Sequence, residues 1–203
     1  MALFLLVHGA WGGGWVWDEV AAALSERGHD VEAPDLPCEE VGLTQLDYAA
    51  ALGPHGDAIV VGHSLAGQTI AHVDARLRVY LGAIVPTVHR LSVAFTPTFG
   101  GMERDDEGRS YWPDIDVAHA RLFPDCTREQ VEAALPRMRR QAQIGALRAD
   151  LGAGDVVVVT TQDAVISPDW QRAQPLRTLE LACGHWPMVT HVEELADLLD
   201  SLA

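Results

Sequence analysis

The stretch Asp57-Ala58-Ile59-Val60-Val61-Gly62-His63-Ser64-Leu65-Ala66-Gly67 decides how this chain reads. A short Val/Ile run predicts a buried strand over 57–62, and the segment after it predicts a helix over 65–77. Ser64 falls on the turn between the two. A turn this tight strains the serine backbone and requires small residues two places to either side. Gly62 and Ala66 meet that requirement, and Gly67 stands one place further on. The pattern is G-x-S-x-A, and Ala is small enough. Such a turn lifts a serine hydroxyl above the C-terminal edge of a sheet, where open α/β sheets bind ligands. Ser64 is therefore a candidate nucleophile. The alternative is a Gly-rich strand-to-helix turn that carries a serine by accident, and the strand before and helix after argue against it.

Outward from this turn the same rhythm recurs. Strands are predicted at 2–7, 29–33, 79–85, 155–160 and 176–181, and helices at 14–27, 44–52 and 188–202. Gly28 stands in the stop position of the first helix, and Thr44 in the cap position of the second. Short apolar strands between amphipathic helices predict a mainly parallel sheet of about six strands with helices on both faces. The rhythm breaks at about 86–150. That segment holds Pro86, Pro97, Gly100, Gly101, Pro113 and the aromatics Phe95, Phe99, Tyr111 and Trp112. Thr127 with Gln130 three places on predicts a capped helix over 127–135, ended or kinked at Pro136. A second helix is predicted over about 138–149. We read one domain spanning 1–203, with a small cap inserted between two strands.

Composition narrows the function classes. Of the 203 residues, 48% are hydrophobic and 21% charged, as in an ordinary globular protein. The formal net charge is −15, which repels phosphate backbones and speaks against a nucleic-acid partner. All 14 basic residues are Arg, so lysine Schiff-base chemistry has no residue to use. No stretch approaches the ~20 apolar residues of a membrane span, and the N-terminal apolar run lacks a basic n-region. The expectation is a cytoplasmic protein without a membrane partner, as a monomer or homodimer. Cys38, Cys126 and Cys183 form no C-x-x-C pair and read as plain thiols. No His spacing suggests a metal, and no cofactor is expected.

A serine nucleophile needs donors for an oxyanion, a base and an acid. The amide of Leu65 is one donor. The Gly-rich loop His8-Gly9-Ala10-Trp11-Gly12-Gly13-Gly14 follows the first strand and offers the other, at Ala10 or alternatively Trp11. That loop carries no phosphate-cradling pattern. Among nine histidines, His185 in Ala182-Cys183-Gly184-His185-Trp186-Pro187 follows the last strand and returns to the same sheet edge. It is the candidate base; the alternative is a helix-capping residue. His8 and His63 flank the site as structural or pocket-lining residues, and His89 and His119 are candidate cap residues. Asp163, in the loop after strand 155–160, is the candidate acid. Asp169 is expected in the first turn of the following helix, where it suits the dipole.

The segments HGAWGGGWVW, VGHSLAG, TQDAVISP and GHWPMVTHVEELADLL together resemble the α/β-hydrolase superfamily, and within it the methylesterase and hydroxynitrile-lyase branch. The resemblance covers nearly all of the chain outside the cap. It implies the α/β-hydrolase fold, the order Ser64, Asp163, His185, and a carboxylester hydrolase with an apolar pocket under the cap. Trp11, His63 and Trp186 are expected to line that pocket, with plain packing as the alternative for the tryptophans. The chain departs from the plant lyases, which use a lysine beside the catalytic histidine and a hydroxyl residue in the first loop. Here Trp186 follows His185 and Gly9 follows His8. The chain is expected to open at the strand that carries the first loop, without the antiparallel strands that open larger members. The expected substrate is a small ester. Lyase, cyclase or decarboxylase chemistry on the same three residues, or a non-catalytic ligand-binding member of the fold, are the rivals.

Overall fold

A computed structural model describes residues 1–87, 94–97, 99–145 and 147–203; His89, read above as a candidate cap residue, lies outside them. The chain begins with β1 (Leu3–Val7), α1 (Asp18–Glu26), β2 (Asp30–Glu32), α2 (Gln45–Leu52), β3 (His55–His63), α3 (Ala66–Ile70) and β4 (Ala75–Leu81). An insert follows, with β5 (Glu103–Arg104), β6 (Ser110–Tyr111), α4 (Ile115–Arg121) and α5 (Arg128–Ala134). It ends in β7 (Val156–Thr160), α6 (Pro168–Arg172), β8 (Arg177–Leu181), α7 (Pro187–Thr190) and α8 (Val192–Asp200).

Six strands form one sheet in the order β2-β1-β3-β4-β7-β8, and every neighbouring pair is parallel. This is the predicted α/β-hydrolase architecture. Val156–Thr160 is buried at all five positions, the continuous apolar strand that a sheet covered on both faces requires. The register levels the C-terminal ends of the strands. Val7 pairs with Gly62, His63 with Leu81, Leu81 with Val158, and Thr160 with Leu181. The loops that follow β1, β3, β7 and β8 therefore leave the sheet side by side. Among the described residues, no helix is long and apolar enough to cross a membrane.

Three sequence expectations need correction. The helix predicted over 65–77 is only α3, Ala66–Ile70, and β4 starts at Ala75 rather than 79. Arg76-Leu77-Arg78-Val79 alternates with a period of two, a strand signal that the longer helical reading overrode. Arg78 closes the turn by donating from Nε to the Val73 carbonyl at 3.1 Å. The helix predicted over 138–149 is absent from the described residues. Gln141 instead exchanges backbone hydrogen bonds with Ser110, and the Ala142 amide donates to the Cys38 carbonyl. These partners lie about 30 and 100 residues away in sequence, beyond any local pattern. The terminal helices are also interrupted. A 3-10 turn, Gly14–Trp17, precedes α1, and His191 separates α7 from α8. Other local signals hold: Thr44 caps α2 and Thr127 caps α5, each in a reciprocal capping box, and Gly28 adopts φ +86° after α1.

Candidate active site

Ser64 follows β3 with φ +53°, a left-handed conformation that costs a non-Gly residue on the order of 1–3 kcal/mol unless its surroundings enforce it. The surroundings here do so. The Ser64 amide donates to the Leu81 carbonyl at 3.2 Å, and the Ser64 carbonyl accepts from the Ile84 amide at 2.9 Å. The turn is thus bonded on both sides to the end of β4. Its small residues are steric necessities. A Cβ on Gly62 would lie 2.9 Å from Ile70, and one on Gly67 would lie 2.5 Å from the Ile84 carbonyl oxygen.

His185 stands on the loop after β8, with Nε2 3.1 Å from Ser64 Oγ. Its Nδ1 lies 2.9 Å from Asp163 Oδ2. An acceptor-only carboxylate at Nδ1 places the proton there and leaves the Nε2 lone pair for the serine hydroxyl. Asp163 is itself held tightly. Oδ2 also accepts from Thr160 Oγ1 at 2.7 Å and Gln171 Nε2 at 3.1 Å, and Oδ1 from the amides of Val165 at 2.7 Å and Ile166 at 2.9 Å. Burial pushes the carboxyl up, but the His185 ring and these donors outweigh it and hold the group below the usual carboxylate value. Asp169 takes its expected place in the first turn of α6.

Two further histidines are locked in the neutral form. His8 Nδ1 donates to the Gly9 carbonyl at 2.8 Å, while Nε2 accepts from the Leu36 amide at 2.9 Å, which leaves no site for a second proton. His63 Nε2 donates to the His185 carbonyl at 2.7 Å, and its Nδ1 is buried without a partner. Burial pushes His8 down to about 4, and burial together with the His185 ring pushes His63 down to about 3. An unfolded chain protonates both near the ordinary 6.5, so below that pH it binds more protons than the native state. Stability is fully present above pH 6.5 and falls on acidification, by about 1.4 kcal/mol per pH unit for each ring. Urea denaturation followed from pH 7 to 5 is expected to show the midpoint dropping steadily; a flat midpoint would refute the neutral burial of these rings.

A cavity of about 210 Å3 opens at Ser64. Ala10, Trp11 and Leu65 line it from the sheet edge, and Phe95, Phe99 and Ile144 from the insert. The amides of Ala10, Trp11 and Leu65 are not taken by any other group among the described residues. Trp11 is placed by a left-handed backbone, φ +61°, and by its Nε1–H donating to Ser110 Oγ at 3.0 Å. His63 and Trp186 do not line the cavity. They lie behind His185, with the His63 ring 4.7 Å from it and Trp186 packed on Phe123 at 4.6 Å. Both are almost fully buried. Among the described residues, no group of three or more His, Cys, Asp or Glu is placed to hold a metal ion.

Residues 4–198 match the family model described as the alpha/beta hydrolase family. The chain belongs to that family. Its similarity to the carbendazim hydrolyzing esterase of Nocardioides sp. (strain SG-4G) is 40% identity over 106 residues, covering 42% of this chain and 43% of that protein. The chain thus spans under half of that relative's length in the match. Similarity to the (S)-hydroxynitrile lyase of Manihot esculenta is 26% identity over 258 residues, covering 100% of this chain and 97% of the lyase. The solved structure of a pyrethroid hydrolase from Sphingobium faniae JZ-2 superposes with a TM-score of 0.76 at 21% identity, covering 99% of this chain and 96% of that one. At that identity the likeness shows the fold.

Several residues of this α/β-hydrolase site carry no sequence signal. Gln171 on α6 and Thr160 at the end of β7 hold Asp163, yet neither belongs to a motif. Asp125, in the insert, accepts from the Gly184 amide at 3.0 Å, directly before His185. A Cβ at Gly184 would sit 2.2 Å from the Asp125 carboxyl carbon, so glycine there permits the contact between insert and histidine loop. The signal available was Gly184 itself, a glycine beside the candidate base.

Proposed function

We propose that this chain is a serine hydrolase that cleaves a small carboxylic ester through an acyl-enzyme on Ser64. The observation that carries this reading is the hydrogen-bonded line from Ser64 through His185 to Asp163, at 3.1 and 2.9 Å, opening on a cavity with free backbone amides. In this mechanism His185 Nε2 takes the hydroxyl proton as Ser64 Oγ attacks the ester carbonyl. The Ala10 and Leu65 amides receive the developing oxyanion. Asp163 holds the imidazole in the productive tautomer and stabilises its cation. His185 then gives its proton to the departing alcohol, and the same groups activate water to release the acid. Trp11 packs on the bound ester, and the insert at about 86–150 acts as the cap that closes the pocket. A cavity of about 210 Å3 lies below the ~300–1,000 Å3 of pockets for drug-sized ligands, which favours a small substrate.

Treatment of the folded protein with a fluorophosphonate tests the reading. A single adduct on Ser64 by peptide mass spectrometry is the expected result, and its absence would overturn the proposal. A second reading, lyase chemistry on the same residues, draws on the full-length similarity to the hydroxynitrile lyase. Against it stand the absence of any lysine and the Gly9 and Trp186 that occupy the diverging positions. Oxygen-18 from water appearing in the acid product supports hydrolysis; cleavage without water uptake supports the lyase.

A further inference from the structure

The cavity over Ser64 has few polar side chains, and most are already engaged by the protein. Ser110 Oγ accepts the Trp11 indole N–H at 3.0 Å and donates to the Gln141 carbonyl at 3.2 Å. The Gln141 amide donates to the Ala142 carbonyl at 2.8 Å. Arg104 is different. It is the one charged side chain among the described residues lining the cavity. Its Nη1 donates to the Gly108 carbonyl at 2.7 Å, and the other guanidinium nitrogens have no protein acceptor among the described residues.

Arg104 also differs from most arginines of this chain. Arg27, Arg78, Arg109, Arg128, Arg137, Arg139, Arg140 and Arg172 each pair with a carboxylate. Arg104 has no carboxylate partner among the described residues, although acids outnumber bases 29 to 14. The acids on either side of it in sequence are occupied. Glu103 accepts the Tyr111 hydroxyl at 3.0 Å, and Asp105 accepts from Arg109 at 2.9 Å and Arg140 at 2.8 Å. No Asp or Glu lines the cavity among the described residues. A guanidinium kept free of acids at the rim of an apolar pocket is a receptor for an anionic group of the ligand.

We propose that Arg104 is a specificity-determining residue, and that the substrate of the Ser64 site is an ester bearing a carboxylate at the end remote from the scissile bond. This rests on the hydrolytic reading of Ser64. The ester carbonyl meets the serine and the free amides, the apolar linker lies against Trp11 and Phe99, and the carboxylate reaches Arg104. A monoanion suits a single guanidinium, whereas the net charge of −15 repels a dianion such as a phosphate more strongly.

The test uses the monomethyl esters of succinate, glutarate, adipate and suberate, each against the methyl ester of the chain-matched monocarboxylic acid. The readout is the anion-to-neutral ratio of kcat/KM. For the native protein the ratio is expected to peak at one spacer length. Arg104→Met should lower that peak about tenfold, the worth of one charge-assisted hydrogen bond, and Arg104→Lys should keep part of it. Neutral esters preferred at every length, or a ratio unmoved by Arg104→Met, would overturn the proposal. Calorimetric titration of Ser64→Ala protein with monomethyl adipate and methyl hexanoate, with and without Arg104→Met, reads selectivity without turnover. Anion-selective binding to the Ser64→Ala protein, with no turnover of any ester by the native protein, refutes hydrolysis and keeps the receptor. Turnover of neutral esters without anion preference refutes the receptor and keeps hydrolysis.

Discussion

Replacing Ser64 by Ala is expected to lower kcat for p-nitrophenyl acetate by at least 10,000-fold. In the proposed mechanism the hydroxyl is the attacking group, and the free amides and the pocket, which remain, stabilise only a reaction that water must then start. A residual rate above the uncatalysed reaction is therefore expected. A loss below tenfold would place the nucleophile elsewhere. Ser64→Gly is equally inactive by this mechanism but differs in stability. Ser64 is held at φ +53°, which glycine adopts without penalty, so the Gly variant should be more stable than the Ala variant by about 1 kcal/mol. Urea denaturation of the two variants checks this. Equal stabilities would mean that the elbow is not strained.

Asp163→Asn is the second large effect. The carboxylate accepts five hydrogen bonds, from His185, Thr160, Gln171 and the amides of Val165 and Ile166. An amide offers one oxygen and one NH2 in the same space. Two backbone donors face Oδ1, so the oxygen is drawn there and the NH2 group turns to His185. An NH2 group at Nδ1 selects the opposite imidazole tautomer, with the proton on Nε2, where it cannot accept from Ser64. The expected loss in kcat is about 10,000-fold, the size seen for this substitution in serine proteases. Nitrogen-15 NMR of His185 should report the switched tautomer. Activity within tenfold of the native protein would show that His185 is oriented by another group.

The parts of this molecule that were legible in its sequence are those with local causes. The elbow is written in Gly62, Ser64 and Ala66 because a steric requirement acts over five residues. The order of Ser64, Asp163 and His185 follows from the succession of strands. The helix caps at Thr44 and Thr127 act over three residues each. What escaped was set at a distance, or by competing periods. The shortness of α3 was hidden because Arg76-Leu77-Arg78-Val79 fits two patterns. The segment around Gln141 pairs with Ser110 and Cys38, partners that no periodicity announces. His63 and Trp186 are adjacent in sequence to Ser64 and His185, and adjacency suggested the pocket. Their side chains point behind the base instead. Arg104 had no motif, and only its setting at an apolar cavity, between acids that are engaged elsewhere, makes it informative.

Ser64 and His185 stand 121 positions apart. The nucleophile and the loop amides lie before the end of β4, at Leu81, and the acid and base lie beyond Val156. Within the sheet the two groups meet across the β4–β7 pairing. Hydrogen bonding between serine and imidazole thus depends on the docking of the β7–β8 part of the sheet onto β4. During synthesis Ser64 emerges long before His185, so under the proposed mechanism the serine is expected to stay unreactive until the last strand is laid down. The chain therefore carries its own folding reporter: in a refolding reaction, capacity for fluorophosphonate labelling should return with completion of the sheet, later than helix formation seen by circular dichroism.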